Sequence, residues 1–190
     1  MKKTLLIGID LGGTNTKIAL ISKETKILGR STFLTKAYTP KDELIKKLIN
    51  EVNGLLRSNG YSINNLTGIG IGLAGLVDYS KGFIFDLTNI SGWKKVPLRS
   101  ILESKLNVPV YLDNDANAIC LGEYLYGAGK NSNNLVSVSL GTGIGAGIII
   151  NGKLYRGSSF SAGEIGHIVI NENGPKCGCG SFGCLEAYIG

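Results

Sequence analysis

The 190-residue sequence has few prolines and no long apolar run. Only four prolines are present, and the 28 glycines show no three-residue period, which excludes collagen and low-complexity linkers. No uncharged apolar stretch reaches the roughly 18 residues needed to span a bilayer. Asp10 interrupts the first apolar run too early for a signal peptide. The sequence therefore predicts a soluble cytoplasmic protein with no membrane partner.

Basic residues outnumber acidic residues, but they are not concentrated in one stretch. Twenty Lys and Arg against 14 Asp and Glu give a net charge of +6, and no arginine-rich stripe with interleaved aromatic residues occurs. Nucleic-acid binding is therefore disfavoured, and an anionic small molecule suits the charge at least as well. Hydrophobic residues make up 43% of the chain, enough to bury the core of one domain or two small lobes.

Apolar patterning predicts alternating strands and helices. The expected strands are residues 4–9, 18–21, 27–33, 69–77 and 108–112, and the expected helices are residues 40–59, 97–102 and 113–126. Elements in this order predict an α/β fold with a largely buried mixed sheet.

Two segments of the chain share one pattern. Residues 7–21 (IGIDLGGTNTKIALI) and 136–150 (VSVSLGTGIGAGIII) each contain an apolar strand, a Leu-Gly step, a turn of small residues and a second apolar strand. The similarity predicts a duplicated unit and two lobes separated by a cleft. Two unrelated glycine hairpins are the alternative.

Both glycine turns are candidate phosphate sites, because backbone N–H groups exposed by glycine can cradle phosphate oxygens. Asp10, at the end of the first strand, is placed to hold Mg²⁺ through water. No P-loop sequence occurs. Residues 141–146 satisfy the loose dinucleotide fingerprint but lead into an apolar strand, so a helix N-terminus for pyrophosphate is missing. Tight hairpins without a ligand remain the alternative.

Two aspartates lie where a strand is expected to give way to a helix, in Asp113-Asn114-Asp115. Phosphoryl transfer to a hydroxyl needs positioning, charge neutralisation and one carboxylate that accepts the hydroxyl proton. We expect Asp113 to cap the helix and Asp115 to face the cleft, although spacing alone also allows the reverse assignment.

The single histidine, His167, is followed closely by three of the four cysteines, Cys177, Cys179 and Cys184. One imidazole and three thiolates are a full tetrahedral ligand set for a closed structural zinc site. The cysteines are expected to be reduced in the cytoplasm. A redox pair or inert buried thiols are the alternatives, and Cys120 is expected in the core.

These features together resemble the ROK family of bacterial sugar kinases and repressors, which has the duplicated actin/hexokinase-like (ribonuclease H-like) α/β fold. The resemblance implies a catalytic base, Asp115, and two phosphate motifs for ATP with Mg²⁺. Their residues are Asp10, Gly12, Gly13 and Thr14 in the first motif and Gly141, Thr142 and Gly143 in the second.

The resemblance also implies a sugar site and a structural Zn²⁺ site. The implied sugar contacts are Asn89, Asn114, Asp115, Glu164, His167 and Glu186, and the implied zinc ligands are His167, Cys177, Cys179 and Cys184. It further implies a first lobe, residues 1–117, that is complete and a second, residues 118–190, that is partial. The full-length protein is expected to be a homodimer or a higher homo-oligomer.

The choice of sugar rests on the loop of residues 88–93 (TNISGW), which is most similar to the corresponding loop of the glucokinases. The resemblance therefore implies phosphorylation of glucose to glucose 6-phosphate. Kinases for N-acetylglucosamine, N-acetylmannosamine, mannose or fructose, and a non-catalytic sugar-sensing regulator, are the alternatives. The family's repressors carry an N-terminal helix-turn-helix, whereas the first phosphate turn here begins by residue 10, which favours a kinase.

Overall fold

A computed structural model of the chain describes residues 4–38, 40–87, 89–141 and 143–190. Its strands are β1 (Leu5–Leu11), β2 (Asn15–Ser22), β3 (Ile27–Leu34), β4 (Leu66–Leu73), β5 (Leu76–Asp78), β6 (Phe83–Asp86), β7 (Lys94–Val96), β8 (Val110–Asn114), β9 (Leu135–Leu140), β10 (Ile144–Ile150) and β11 (Lys153–Leu154). Its helices are α1 (Lys41–Ser58), α2 (Leu98–Leu106), α3 (Asp115–Tyr126) and α4 (Glu186–Ile189). The chain divides into two compact units, one ending at Asp115 and the other spanning Ala116–Gly190.

The first unit is built on a five-stranded mixed sheet with the order β3-β2-β1-β4-β8. Strands β1, β2 and β3 form an antiparallel meander, whereas β1, β4 and β8 run parallel to one another. The central strand β1 buries every second residue, Leu5, Ile7, Ile9 and Leu11. The predicted α/β fold with a mixed sheet is confirmed.

Two helices cover this sheet. Helix α1 contacts β2 and β3, and α2 contacts β8. The apolar residues of α1 recur at helical spacing and form its buried stripe, consisting of Leu44, Ile45, Leu48, Val52, Leu55 and Leu56. Helix α2 continues four residues past its predicted end and stops where Asn107 takes a left-handed conformation, with φ of 53°.

The expected strand at residues 69–77 is interrupted in the structure. Strand β4 ends at Leu73, and the chain turns at Gly75 into a second, three-stranded sheet with the order β5-β6-β7. A Cβ at Gly75 would collide with the backbone carbonyl of Asp86 and lie 2.6 Å from Leu87 Cδ2, so the turn depends on glycine. The loop after β6 buries the only tryptophan of the sequence, Trp93.

The predicted start of the third helix is two residues early. Strand β8 continues through Asn114, and α3 begins at Asp115. Asp113 is therefore a strand residue, and its carboxylate accepts a 2.9 Å hydrogen bond from the Asn114 N–H. The expectation that Asp113 caps the helix is wrong, because parallel pairing with β4 extends the strand to Asn114.

The second unit contains the three-stranded antiparallel sheet β11-β10-β9. Helix α3 lies directly on β10, since a Cβ at Gly145 would be 3.1 Å from Ala116 Cβ and one at Gly147 would overlap Cys120. Cys120 is fully buried, as expected. Strand β9 lies at the sheet edge, and its apolar residues Val136, Val138 and Leu140 are exposed. Among the described residues, no helix is both long and apolar enough to cross a membrane.

The different burial of two leucines predicts that their alanine variants differ in stability. Leu20 is completely buried on β2, whereas Leu6 on β1 is 42% exposed. Leu20→Ala should lower the free energy of unfolding by about 2–5 kcal/mol, because it leaves a cavity. Leu6→Ala, the matched control, should lower it by less than about 1 kcal/mol. Urea unfolding followed by Trp93 fluorescence reports on this unit, and equal losses for the two variants would contradict the packing described.

Candidate functional site

The first unit gathers three chain segments at one edge of its sheet. Because β1, β4 and β8 are parallel and in register, Leu11, Leu73 and Asn114 form one row across the sheet. The glycine turn after β1, the turn at Gly75 and the start of α3 at Asp115 all follow this row. Strands are spaced by about 4.8 Å, so the first glycine turn and Asp115 are about two spacings apart. Carboxyl ends of parallel strands are where α/β sheets bind ligands.

Asp10 lies one residue before the end of β1 and remains accessible to solvent. It is directly opposite Lys17 on β2, and the Lys17 Nζ is 3.4 Å from its carboxylate. An exposed pair of this kind contributes little to stability. A cation bound at the turn could therefore take the place of Lys17 at low cost.

The first glycine turn contacts the predicted sugar loop. A Cβ at Gly13 would lie 2.7 Å from Asn89 Cβ and 3.1 Å from the Asn89 carbonyl oxygen. The side chain of Asn114 donates a 3.3 Å hydrogen bond to the carbonyl of Gly75, which packs against Asp86. Gly13, a predicted phosphate contact, therefore packs against Asn89, a predicted sugar contact. The hydrogen bond of Asn114 to Gly75 also connects it to the β5-β6-β7 sheet, which carries Asn89 in the loop between β6 and β7.

In the second unit, the glycine turn contacts Glu186. Strands β9 and β10 form an antiparallel hairpin, as β1 and β2 do, and the Gly141 N–H donates to the Gly143 carbonyl at 3.0 Å. The Glu186 carboxylate accepts a 2.8 Å hydrogen bond from the Ile144 N–H and lies 2.5 Å from where a Gly143 Cβ would be. Thr142, also predicted as a phosphate contact, lies outside the described residues.

Glu164 and His167 are held beside the start of β10. The Ala146 N–H donates a 2.9 Å hydrogen bond to the carbonyl of Gly163. Gly163 has a φ of 91° and lies against the Ala146 backbone, so this position has no room for a side chain. Nε2 of His167 is 3.9 Å from the Glu164 carboxylate. Glu164, His167 and Glu186, which were predicted as sugar contacts, therefore surround the second glycine hairpin.

The predicted metal ligands converge in space. The donor atoms of His167, Cys177, Cys179 and Cys184 all lie within 4.8 Å of one another, and none of these cysteines is in a disulfide. The Cys179 and Cys184 sulfurs are 3.8 Å apart, and Nδ1 of His167 is 3.8 Å from the Cys177 sulfur. Tetrahedral zinc with bonds of about 2.3 Å to sulfur requires sulfur separations of about 3.8 Å. The cluster therefore fits a zinc ion.

The thiols of this cluster differ in acidity. Burial raises the pKa of the Cys184 thiol to about 11. The Ser181 backbone, followed by the Cys177 side chain, lowers the pKa of the Cys179 thiol through hydrogen bonds. Thiolates are the form that binds a metal, so a cation must displace a proton from Cys184.

Two residues of the first site are not among the sequence-predicted ones. Thr16 and Thr35 are both buried, and their hydroxyls are 2.8 Å apart beneath the first glycine turn. Thr16 carries a weak sequence signal, because it occupies an inward-facing position of β2 in alternation with Ile18 and Leu20. Thr35 carries none, since it follows the last residue of β3.

Known proteins resemble the chain over nearly its whole length. A sequence model of the ROK family matches residues 6–190. The chain is 39% identical over 187 residues to a glucokinase of Thermotoga maritima, covering 98% of this chain and 57% of that protein. It is 45% identical over 183 residues to the xylose repressor of Bacillus subtilis, covering 96% of this chain and 47% of the repressor.

A solved structure extends the likeness to three dimensions. The crystal structure of a ROK family glucokinase from Streptomyces griseus, in complex with glucose and AMPPNP, matches with a TM-score of 0.84 and 38% sequence identity. The match covers 97% of this chain and 56% of that one. The fold is therefore that of the ROK glucokinases, and the chain spans about half the length of the curated relatives it matches.

The contact between Gly13 and Asn89 predicts that Gly13→Ala is destabilising. The added methyl group would meet Asn89, so the loop after Leu87 has to move, at a cost of about 1–3 kcal/mol. Gly141→Ala is the matched control in the other hairpin, where a Cβ meets nothing within 4 Å, and its effect should stay within about 0.5 kcal/mol. Thermal unfolding of both variants measures the difference, and a Gly13→Ala protein as stable as the wild type would refute the contact.

Proposed function

The chain belongs to the ROK family, and from this premise we propose that its protein uses ATP to phosphorylate a hexose, with glucose converted to glucose 6-phosphate. Relatives named as glucokinases and the relative solved with glucose and AMPPNP support a sugar kinase and these two substrates. The enzyme acts in the cytoplasm, and its full-length form is a homo-oligomer that binds neither nucleic acid nor membrane.

The observation that carries this proposal is the row formed by Leu11, Leu73 and Asn114. It brings a carboxylate, Asp115, to the same sheet edge as the first glycine turn. Asp115 begins helix α3, where a carboxylate is favoured by the N-terminal end of the helix dipole. One carboxylate beside a phosphate cradle is the minimum that phosphoryl transfer to a hydroxyl requires.

In the proposed reaction, Asp115 accepts the proton of a sugar hydroxyl, the 6-OH in glucose, as its oxygen attacks the γ-phosphorus of ATP. A new P–O bond forms to the sugar, and the bond between the γ-phosphorus and the bridging oxygen breaks, so ADP leaves with that oxygen. Backbone N–H groups of each glycine turn are the proposed donors to phosphate oxygens, and Asp10 would hold Mg²⁺. Magnesium, when bound, neutralises phosphate charge.

Candidate sugar contacts are present within each unit. Asn89 and Asn114 belong to the first unit, and Glu164, His167 and Glu186 belong to the second. Carboxylates suit this role because each can accept hydrogen bonds from two neighbouring hydroxyls. A Cβ at Gly13 would clash with Asn89, and a Cβ at Gly143 would clash with Glu186. Each of these two proposed sugar-binding side chains therefore packs against a glycine turn.

We also propose that the cluster of His167, Cys177, Cys179 and Cys184 holds a structural zinc ion. The donor separations support this ion, as does a ligand set of one imidazole and three thiolates. Its role is to shape the sugar-binding loop, because Glu186 follows Cys184 by two residues and His167 Nε2 lies 3.9 Å from the Glu164 carboxylate. If Nδ1 of His167 held the metal, Nε2 would be the ring nitrogen on the side of Glu164, where a sugar hydroxyl is proposed to bind.

A sugar-sensing regulator is the second candidate. The observation in its favour is the 45% identity to the xylose repressor of Bacillus subtilis. A regulator of this type would bind a sugar and zinc without releasing ADP. The remaining alternatives are kinases for N-acetylglucosamine, N-acetylmannosamine, mannose or fructose. Measuring ADP release with each sugar in turn distinguishes them from a glucokinase.

ADP release in the presence of each hexose tests the kinase and its base together. The full-length protein should release ADP with glucose, and Asp115→Asn should lower kcat by about 10²–10⁴ because no group then accepts the hydroxyl proton. Glucose affinity, measured by calorimetry, should change by only a few-fold. Asp113→Asn is the matched control, since its amide oxygen can still accept the bond from Asn114.

Three outcomes are informative in that assay. If Asp115→Asn turned over at close to the wild-type rate, Asp115 would not be the catalytic base. Sugar binding without ADP release from any hexose would favour the regulator. Turnover by the full-length protein and not by the 190-residue chain would show that chemistry needs the part of the protein outside these residues.

Cysteine substitution tests the zinc site. Cys179→Ser should reduce bound zinc from one ion per chain to a small fraction and weaken glucose binding, because a serine hydroxyl is a poor zinc ligand. Cys120→Ser is the control, since Cys120 lies in helix α3 and is not in the cluster. Elemental analysis of the purified proteins gives the metal content. Full zinc in Cys179→Ser would remove this residue from the ligand set.

A further inference from the structure

Thr35 lies directly after β3 and is only 1% exposed. Three hydrogen bonds connect it to β2 and to the turn before β2. Its N–H donates to the Thr14 carbonyl at 2.8 Å, its hydroxyl donates to the Gly12 carbonyl at 2.7 Å, and its hydroxyl oxygen is 2.8 Å from that of Thr16. One buried threonine therefore contacts both ends of the Gly12–Thr14 turn.

The direction of the bond between the two hydroxyls follows from counting protons. A threonine hydroxyl carries a single proton, and that of Thr35 is donated to the Gly12 carbonyl. Thr16 must therefore donate to Thr35. Thr16 is completely buried, so this short chain of hydroxyls has no competition from water and holds one orientation.

These bonds determine where the turn's N–H groups point. A trans peptide group is planar, with its carbonyl and its N–H on opposite sides. The Gly12 carbonyl shares a peptide group with the Gly13 N–H, and the Thr14 carbonyl shares one with the Asn15 N–H. With both carbonyls held at Thr35, both N–H groups are directed away from the end of β3.

We propose that Thr35 is a positioning residue for the nucleotide: its hydroxyl and N–H hold the Gly12 and Thr14 carbonyls inward, so that the Gly13 and Asn15 N–H groups stay aimed at a phosphate. This inference rests on the proposed phosphate role of the turn. The hydroxyl is needed beyond its packing, because valine has the same shape but leaves the Gly12 carbonyl without its donor. Thr35 is buried, so in this proposal it acts through the turn.

The test compares Thr35→Val with Thr35→Ser in the full-length protein, with Thr32→Val as the matched control. Thr32 is an exposed residue of β3. Thr35→Val should weaken binding of Mg²⁺-AMPPNP, measured by calorimetry without sugar, by about tenfold, the effect of losing one hydrogen bond in a buried setting. The KM for ATP should rise equally, and the KM for the sugar should stay within about twofold. Thr35→Ser should restore wild-type values, and Thr32→Val should not differ from wild type.

A purely structural role for Thr35 gives a different result. If nucleotide and sugar affinities fall together, or if Thr35→Val binds AMPPNP as tightly as wild type, the proposal is overturned. If no hexose is phosphorylated by wild type but AMPPNP binding changes as described, the kinase function fails and the role of Thr35 stands. If Thr35→Val does not fold, Thr35→Ala removes the same donor to the Gly12 carbonyl, and unchanged AMPPNP affinity in that variant overturns the proposal.

Discussion

Parallel pairing of β1, β4 and β8 is the constraint on which the first unit depends. Each pairing is set by buried aliphatic residues, such as Ile9 on β1 and Ile71 on β4, which must share one face of the sheet. A slip of one residue would expose all of them, so the register is strongly determined. Once it is set, the strand ends coincide, and the glycine turn and Asp115 both follow the row at one edge of the sheet.

Glycines then decide how closely the surrounding segments approach that edge. Because Gly13 has no Cβ, the loop containing Asn89 can pack against it, and the backbone of Asp86 packs against Gly75 in the same way. The second unit uses the same device, because Gly143 admits Glu186 and Gly147 admits helix α3 at Cys120. The high glycine content therefore serves two purposes. Some glycines belong to the turns, while Gly145 and Gly147, in the same GTGIGAG stretch, belong to helix packing.

Much of this arrangement could be predicted from the sequence, because it depends on local pattern. Apolar runs indicated β1 and β2, helical spacing indicated α1, and the cysteine spacing indicated the cluster that the structure brings together. What escaped prediction depends on partners distant in sequence. The break at Gly75 is caused by Asp86, the extension of β8 to Asn114 by β4, and the burial of Thr35 by Gly12 and Thr16. Pattern alone identifies none of these pairs.

Each unit holds its own group of candidate residues. The first holds Asp10, Asp115 and the Gly12–Thr14 turn, whereas the second holds the cysteine cluster and two carboxylates beside its own turn. The strands that carry the turns also differ: within the part of the chain that the structure describes, β1 is paired on both edges, whereas β9 is paired with β10 alone and exposes apolar side chains. Unpaired apolar edges associate readily, so β9 is more open to such association than β1 is. Substitutions in the first unit are therefore the cleaner probes of the proposed phosphoryl transfer, because the residues of its hydrophobic core, from Leu5 to Leu112, all belong to that unit.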